Sequence, residues 1–131
     1  RFGDGLLCAA HLADAAGQFQ DAEQAWQAEG RPGRPRLVAQ FNAVLGPDHL
    51  IEQARESLHA YYGGPDYMNL PAGFAEGAVA SMLTTPAQIH DTLAQMSDLG
   101  ADEVMFYCWS ADVAQVDRFA GTLGEHGTPT R

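Results

Sequence analysis

Apolar residues along this chain switch between a strand-like and a helix-like spacing. Leu6 to Ala10 is a short, nearly continuous apolar run bounded by Gly3-Asp4-Gly5, the pattern of a strand buried on both faces. Leu12, Ala15, Phe19, Ala22 and Trp26 then recur at helical spacing with Gln18, Asp21, Glu23 and Gln24 between them, until Gly30 stops the helix. After the loop Arg31-Pro32-Gly33-Arg34-Pro35, Arg36 to Leu45 reads as a second strand. Gly46-Pro47-Asp48 opens a second helix whose stripe is Leu50, Ile51, Ala54, Leu58 and Tyr61, and Gly63-Gly64-Pro65 ends it. Residues 66–83 are broken by Pro71 and Gly73, with one short helix over Ala75 to Leu83.

The next segment carries the sharpest local signal. Thr85 occupies an N-cap position, Pro86 the first helical position, and Gln88 completes a capping box. Ile89, Leu93, Met96 and Leu99 form the buried stripe, and Gly100 caps the end. Val104 to Trp109 is an uninterrupted apolar and aromatic run, typical of a parallel strand covered on both faces. A last helix follows, with Val113, Val116, Phe119 and Leu123 facing in. Strands are thus expected near 5–10, 36–45 and 103–110, and helices over 13–29, 47–62, 86–99 and 112–123. Strands alternating with helices imply right-handed crossovers and a parallel sheet.

Composition narrows the function classes. The chain has 131 residues, 46% hydrophobic and 18% charged, as a single globular domain does. A net charge of −10 argues against nucleic acid and anionic membrane as partners. All 7 Lys-plus-Arg positions are Arg, which excludes a Schiff-base or P-loop lysine. The 2 cysteines, Cys8 and Cys108, sit in apolar runs with no CxxC spacing, the pattern of buried reduced thiols. There is no signal-peptide pattern and no apolar run near the ~20 residues of a membrane span, so the expected location is the cytoplasm.

Three stretches resemble a known family. Gly3-Asp4-Gly5-Leu6-Leu7 resembles the "ADG" strand of the luciferase-like flavin monooxygenases, with Gly where that family often has Ala. Ala60-Tyr61-Tyr62-Gly63, then Tyr67 and Ala72-Gly73-Phe74, resembles a segment after its seventh strand. Thr84-Thr85-Pro86-Ala87-Gln88-Ile89, running on to Leu99-Gly100-Ala101-Asp102-Glu103-Val104, resembles its "GTPEEV…AGVDEV" approach to the eighth strand, with Thr84 in place of Gly. The resemblance implies a partial (β/α)8 TIM barrel: residues 1–131 would be the last three strand–helix units of one barrel domain whose N-terminal strands lie elsewhere. A whole barrel takes roughly 250 residues. It also implies FMN or deazaflavin in the full-length parent, none for this chain alone, and a small organic molecule as substrate.

In such barrels the chemistry sits where the strands end. That singles out His11 as the candidate acid/base group, the alternative being an inert, hydrogen-bonded loop histidine. Cys8, Phe41, Asn42, Tyr107 and Trp109 are the substrate-pocket candidates, with plain core packing as the competing role. Tyr61, Tyr62, Tyr67, Met68 and Phe74 make either a pocket wall or a satellite cluster. The other histidines lack metal-ligand spacing, so no metal is expected. Asp102-Glu103 and the Arg31, Arg34, Arg36 group precede strands, at the face opposite a barrel active site, and read as solvated charge. No GxSxG, P-loop or GxGxxG motif is present. Three functions follow: part of a flavin- or deazaflavin-dependent oxidoreductase, inactive and self-associating when alone; part of another (β/α)8 enzyme such as an aldolase or isomerase; or a non-catalytic α/β structural or interaction module.

Overall fold

A computed structural model describes residues 3–8, 12–64 and 70–124. The elements are β1 (Gly5–Cys8), α1 (Leu12–Ala28), β2 (Arg36–Ala43), α2 (Asp48–Gly63), α3 (Phe74–Ala80), α4 (Pro86–Asp98), β3 (Glu103–Cys108) and α5 (Ala114–Gly124). The three strands form one parallel sheet in the order β1-β2-β3. The strand–helix alternation predicted from sequence is therefore present, and α3 lies inside the irregular segment. Among the described residues no helix is long and apolar enough to cross a membrane.

The chain divides into two compact units, Arg1–Phe41 with Asp91–Phe106, and Asn42–His90 with Tyr107–Arg131. In the first, β1 pairs with β2 from Gly5↔Arg36 to Cys8↔Ala39. Gly5 is required by close approach, since a Cβ there would fall 2.0 Å from the Arg36 carbonyl oxygen. The Asp102 N–H donates to the Leu37 carbonyl (2.8 Å), which sets β3 beside β2. Ala15 and Phe19 of α1 and Thr92 and Met96 of α4 are buried. Gly100 ends α4 with φ 80°, a left-handed turn that glycine adopts without a Cβ penalty.

In the second unit a hydrophobic cluster of Val44, Ala54, Leu58, Ala78 and Met82 joins the end of β2 to α2 and α3, with Ile51, Tyr62, Val79 and Trp109 packed against it. Leu83 makes a parallel bridge to Ala43. The capping box forms as predicted: Thr85 Oγ1 accepts from the Gln88 N–H (3.2 Å) and Gln88 Oε1 from the N–H groups of Thr85 (3.1 Å) and Thr84 (2.8 Å).

Three burial expectations are corrected. The strands are covered on one side only: Leu37, Ala39, Phe41 and Ala43 of β2 are buried while Val38, Gln40 and Asn42 are half-buried, and Leu7, Met105 and Tyr107 are exposed. Continuous apolar runs do mark parallel strands, but here the described helices bury a single side of them. Helix α5 is also turned over. Val113 and Val116 are 85% and 72% exposed and Leu123 is exposed, whereas Gln115 and Thr122 are buried. The cause is polar: Gln115 Oε1 accepts from the Leu45 N–H (3.0 Å) and its amide nitrogen donates to the Leu45 carbonyl, and the Thr122 carbonyl accepts from His90 Nε2 (2.9 Å). Leu99, predicted in the stripe of α4, is exposed too.

Candidate functional site

The site is built in the second unit, where β2 and β3 end. Asn42 is the penultimate residue of β2, and strand alternation places it on the half-open side. Trp109 directly follows β3, its N–H donating to the Ala43 carbonyl (3.3 Å). Its indole Nε1–H donates to Asn42 Oδ1 at 2.7 Å, a contact spanning 67 positions of sequence. Around Trp109 the rings join into one set. Tyr107 lies 5.5 Å away, Tyr61 5.3 Å and Tyr62 6.5 Å by ring centroids, and Tyr62 meets Phe74 edge-on at 5.1 Å. Such edge-to-face and tilted pairs match the ring quadrupole.

The rings divide into backing and face. Trp109 and Tyr62 rest on the Val44–Leu58 cluster and are thereby fixed, while Tyr107 is 54% and Tyr61 48% exposed. Burial first, then the neighbouring phenols Tyr61 and Tyr107, pushes the Tyr62 hydroxyl above its ordinary pKa, so it stays protonated at neutral pH. The wall is therefore neutral.

The loops flanking this wall are held by charge that satisfies itself. Asp112 accepts from the Ala114 N–H (3.0 Å) at the start of α5 and pairs with Arg118 at 2.9 Å. The backbone bond and then the guanidinium hold the Asp112 carboxyl below its usual range. Arg118 also reaches the Leu45 carbonyl (3.4 Å), and a Cβ at Gly46, whose φ is 137°, would lie 3.2 Å from that guanidinium. Arg55 pairs with Glu52 at 2.6 Å. A groove of about 390 Å³ beside α3 is lined by His59 and Glu76, 3.7 Å apart.

Of the residues singled out from sequence, the structure brings together Asn42, Tyr107 and Trp109, with Tyr61, Tyr62 and Phe74 beside them. Cys8 and Phe41 are core side chains, 1% and 6% exposed. Cys108 is half-buried, its thiol donating to the Ser110 carbonyl (3.6 Å), and neither cysteine is in a disulfide. His11, Tyr67 and Met68 lie outside the described residues. Gln115 and Arg118 were missed. The signal for Asp112 was present, an Asp two residues before the first helical residue, as a capping side chain requires. No group of three His, Cys, Asp or Glu that would hold a metal ion occurs among the described residues.

In the first unit the charged residues that precede the strands pair with one another. Arg34 pairs with Asp102, Arg36 with Glu103 and Arg31 with Asp4 (3.5 Å), and these side chains stay largely exposed, so the solvated charge expected from sequence is also paired. Arg31 also stacks on Trp26, 3.4 Å from the ring centroid. Asp4, Arg34, Pro35, Arg36 and Asp102 line a cleft of about 300 Å³. No protein-family model matches the chain, and neither does any curated protein.

Proposed function

We propose that this chain is the C-terminal portion of a (β/α)8 barrel, its last three strand–helix units, in a luciferase-like flavin- or deazaflavin-dependent oxidoreductase or monooxygenase, and that it is inactive by itself. The observation that carries the reading is the neutral aromatic wall of Tyr107, Trp109, Tyr61 and Asn42 where β2 and β3 end, the place at which barrel enzymes hold their substrates. Sequential parallel strands with exposed Leu7, Met105 and Tyr107 on the uncovered side support it, as does the resemblance of three stretches to that family.

The residues present fit one part of such a cofactor and not the rest. Rings fixed by a core suit a wall beside a planar ring system. A phosphate is held by an uncommitted arginine or a helix N-terminus; in this unit the described arginines, Arg55 and Arg118, are already paired, while the starts of α2 and α3 carry no side-chain cap. When bound, the flavin or deazaflavin would supply hydride transfer or oxygen activation. The part of this chain is to exclude water and orient a small organic substrate. An aldolase or isomerase would need a charged acid/base set here, and the described strand ends carry an amide, phenols and an indole instead.

Fluorescence titration with FMN and with a deazaflavin, run on this chain and on the full-length protein, tests the proposal. The full-length protein should quench one of them saturably in the micromolar range, and this chain neither. Micromolar binding by the chain alone would overturn its role as a portion, and no binding by either would overturn the flavin reading. A non-catalytic interaction module is the second reading, favoured by the exposed Val113 and Val116 of α5.

A further inference from the structure

The Asn42–Trp109 contact fixes more than a side-chain rotamer. An indole N–H can only donate, so the Asn42 atom facing it must be the amide oxygen. The amide nitrogen is thereby turned away from Trp109, and among the described residues it has no hydrogen-bond partner. Asn42 is half-buried, and its NH2 group has two N–H donors unassigned on a side chain whose oxygen is held by Trp109. Next to it, Tyr107 and Tyr61 expose ring surface and are both in contact with the same Trp109. Among the described residues, the cations of this unit that carry fixed charge, Arg55 and Arg118, are engaged with Glu52 and Asp112.

From this arrangement we infer that the strand-end wall is a subsite for an uncharged, planar, conjugated molecule bearing an acceptor oxygen or nitrogen. The ring lies against Tyr107 and Tyr61, and the Asn42 NH2 donates to the acceptor. Among the described residues an anion gains no uncommitted arginine here, and it meets a chain of net charge −10. A saturated ring loses the stacking contribution, and an acceptor-free ring leaves the amide donors unpaired. The inference stands on the strand-end geometry, and it rests on the proposed function only in making the bound ring the substrate of the oxidoreductase.

The test uses the ¹H–¹⁵N spectrum of the intact chain, in which its 2 tryptophans give two indole signals. Trp26 donates to the Pro32 carbonyl at 3.1 Å and belongs to the first unit, so it serves as the internal control. The probe is 2-quinolone, a neutral planar ring with a carbonyl acceptor, compared with anionic quinaldate and with cyclohexanone. The decisive variant is Asn42→Asp, which keeps an oxygen acceptor for the Trp109 indole and removes the NH2 donors. A ligand of this size should bind with Kd on the order of 1 mM. The expected result is a saturable shift of the Trp109 signal by 2-quinolone with Trp26 unmoved. Quinaldate and cyclohexanone should bind at least ~10-fold more weakly, and Asn42→Asp should lose at least ~10-fold for 2-quinolone while its Trp109 signal stays dispersed. No shift at 10 mM 2-quinolone, equal binding of quinaldate, or unchanged binding by Asn42→Asp would each overturn the inference. Failure of the flavin titration with a positive result here would remove the oxidoreductase reading and leave the subsite standing.

Discussion

The residues that lead into the strands and those at which the strands end use their polar groups in opposite ways. Leading in, Arg31, Arg34 and Arg36 are each matched to a carboxylate, and Asp102 also accepts from the Leu37 N–H at 2.8 Å. Those groups complete one another and hold the strands in place. At the strand ends, Tyr61, Tyr107 and Trp109 expose or back ring surface, and Asn42 keeps a donor group that no described residue uses. A polar group already satisfied gains little from a ligand, whereas an unassigned donor beside exposed rings gains a bond and buried area. Charge density is thus a poor guide to function in this chain, and the neutral end is the functional candidate.

The largest effect should come from Trp109→Ala. It removes a side chain packed on the Val44–Leu58 cluster together with its bond to Asn42, and should cost about 3 kcal/mol in a denaturant melt. A cost below about 1 kcal/mol would mean that the wall is not fixed by the core. Gln115→Ala comes next, at roughly 2 kcal/mol, because the N–H of buried Leu45 loses its partner and its carbonyl keeps only the longer contact with Arg118. At the charged end, Arg36→Gln should cost under about 1 kcal/mol, as an exposed pair with Glu103 does, and less still in high salt.

Acidification sharpens the contrast. The Leu37 N–H first, and Arg34 and Arg36 after it, hold the Asp102 carboxyl below its ordinary value of 3.8. Its folded pKa is lower than its unfolded one, so its contribution is fully present above the unfolded value and is lost as pH falls through the folded one. Asp102→Asn should therefore flatten the part of the stability profile below about pH 4 and leave the slope above pH 5 unchanged. The smallest change in stability, within about 0.5 kcal/mol, should accompany Met105→Gln, an exposed position on the uncovered strand side. Its readout is size-exclusion chromatography: the chain should self-associate and the variant less so.

Much of the fold was legible because its signals are local. The capping box at Thr85–Gln88, the left-handed Gly100 and the alternation of spacings each act within a few residues. What was illegible depends on partners far apart in the chain. Arg34 and Asp102 are separated by 68 positions, Leu45 and Gln115 by 70, and nothing nearby marks either pair. For that reason Val113, Val116 and Leu123 passed for an inward stripe although the backbone of Leu45 draws Gln115 inward instead. At the site, Tyr107 and Trp109 were readable from the apolar run and Asn42 from its place at a strand end. The bond between Asn42 and Trp109, which leaves the amide donors facing away, was not.

That the neutral strand ends and not the charged approaches form the ligand-facing surface can be read from crystals of this chain soaked in phenol and in 2-pyridone. Both probes should gather against Tyr107 and Tyr61 with an oxygen within hydrogen-bond distance of Asn42 Nδ2. Probes gathering instead in the cleft of Asp4, Arg34, Arg36 and Asp102, with none at Asn42, would contradict it.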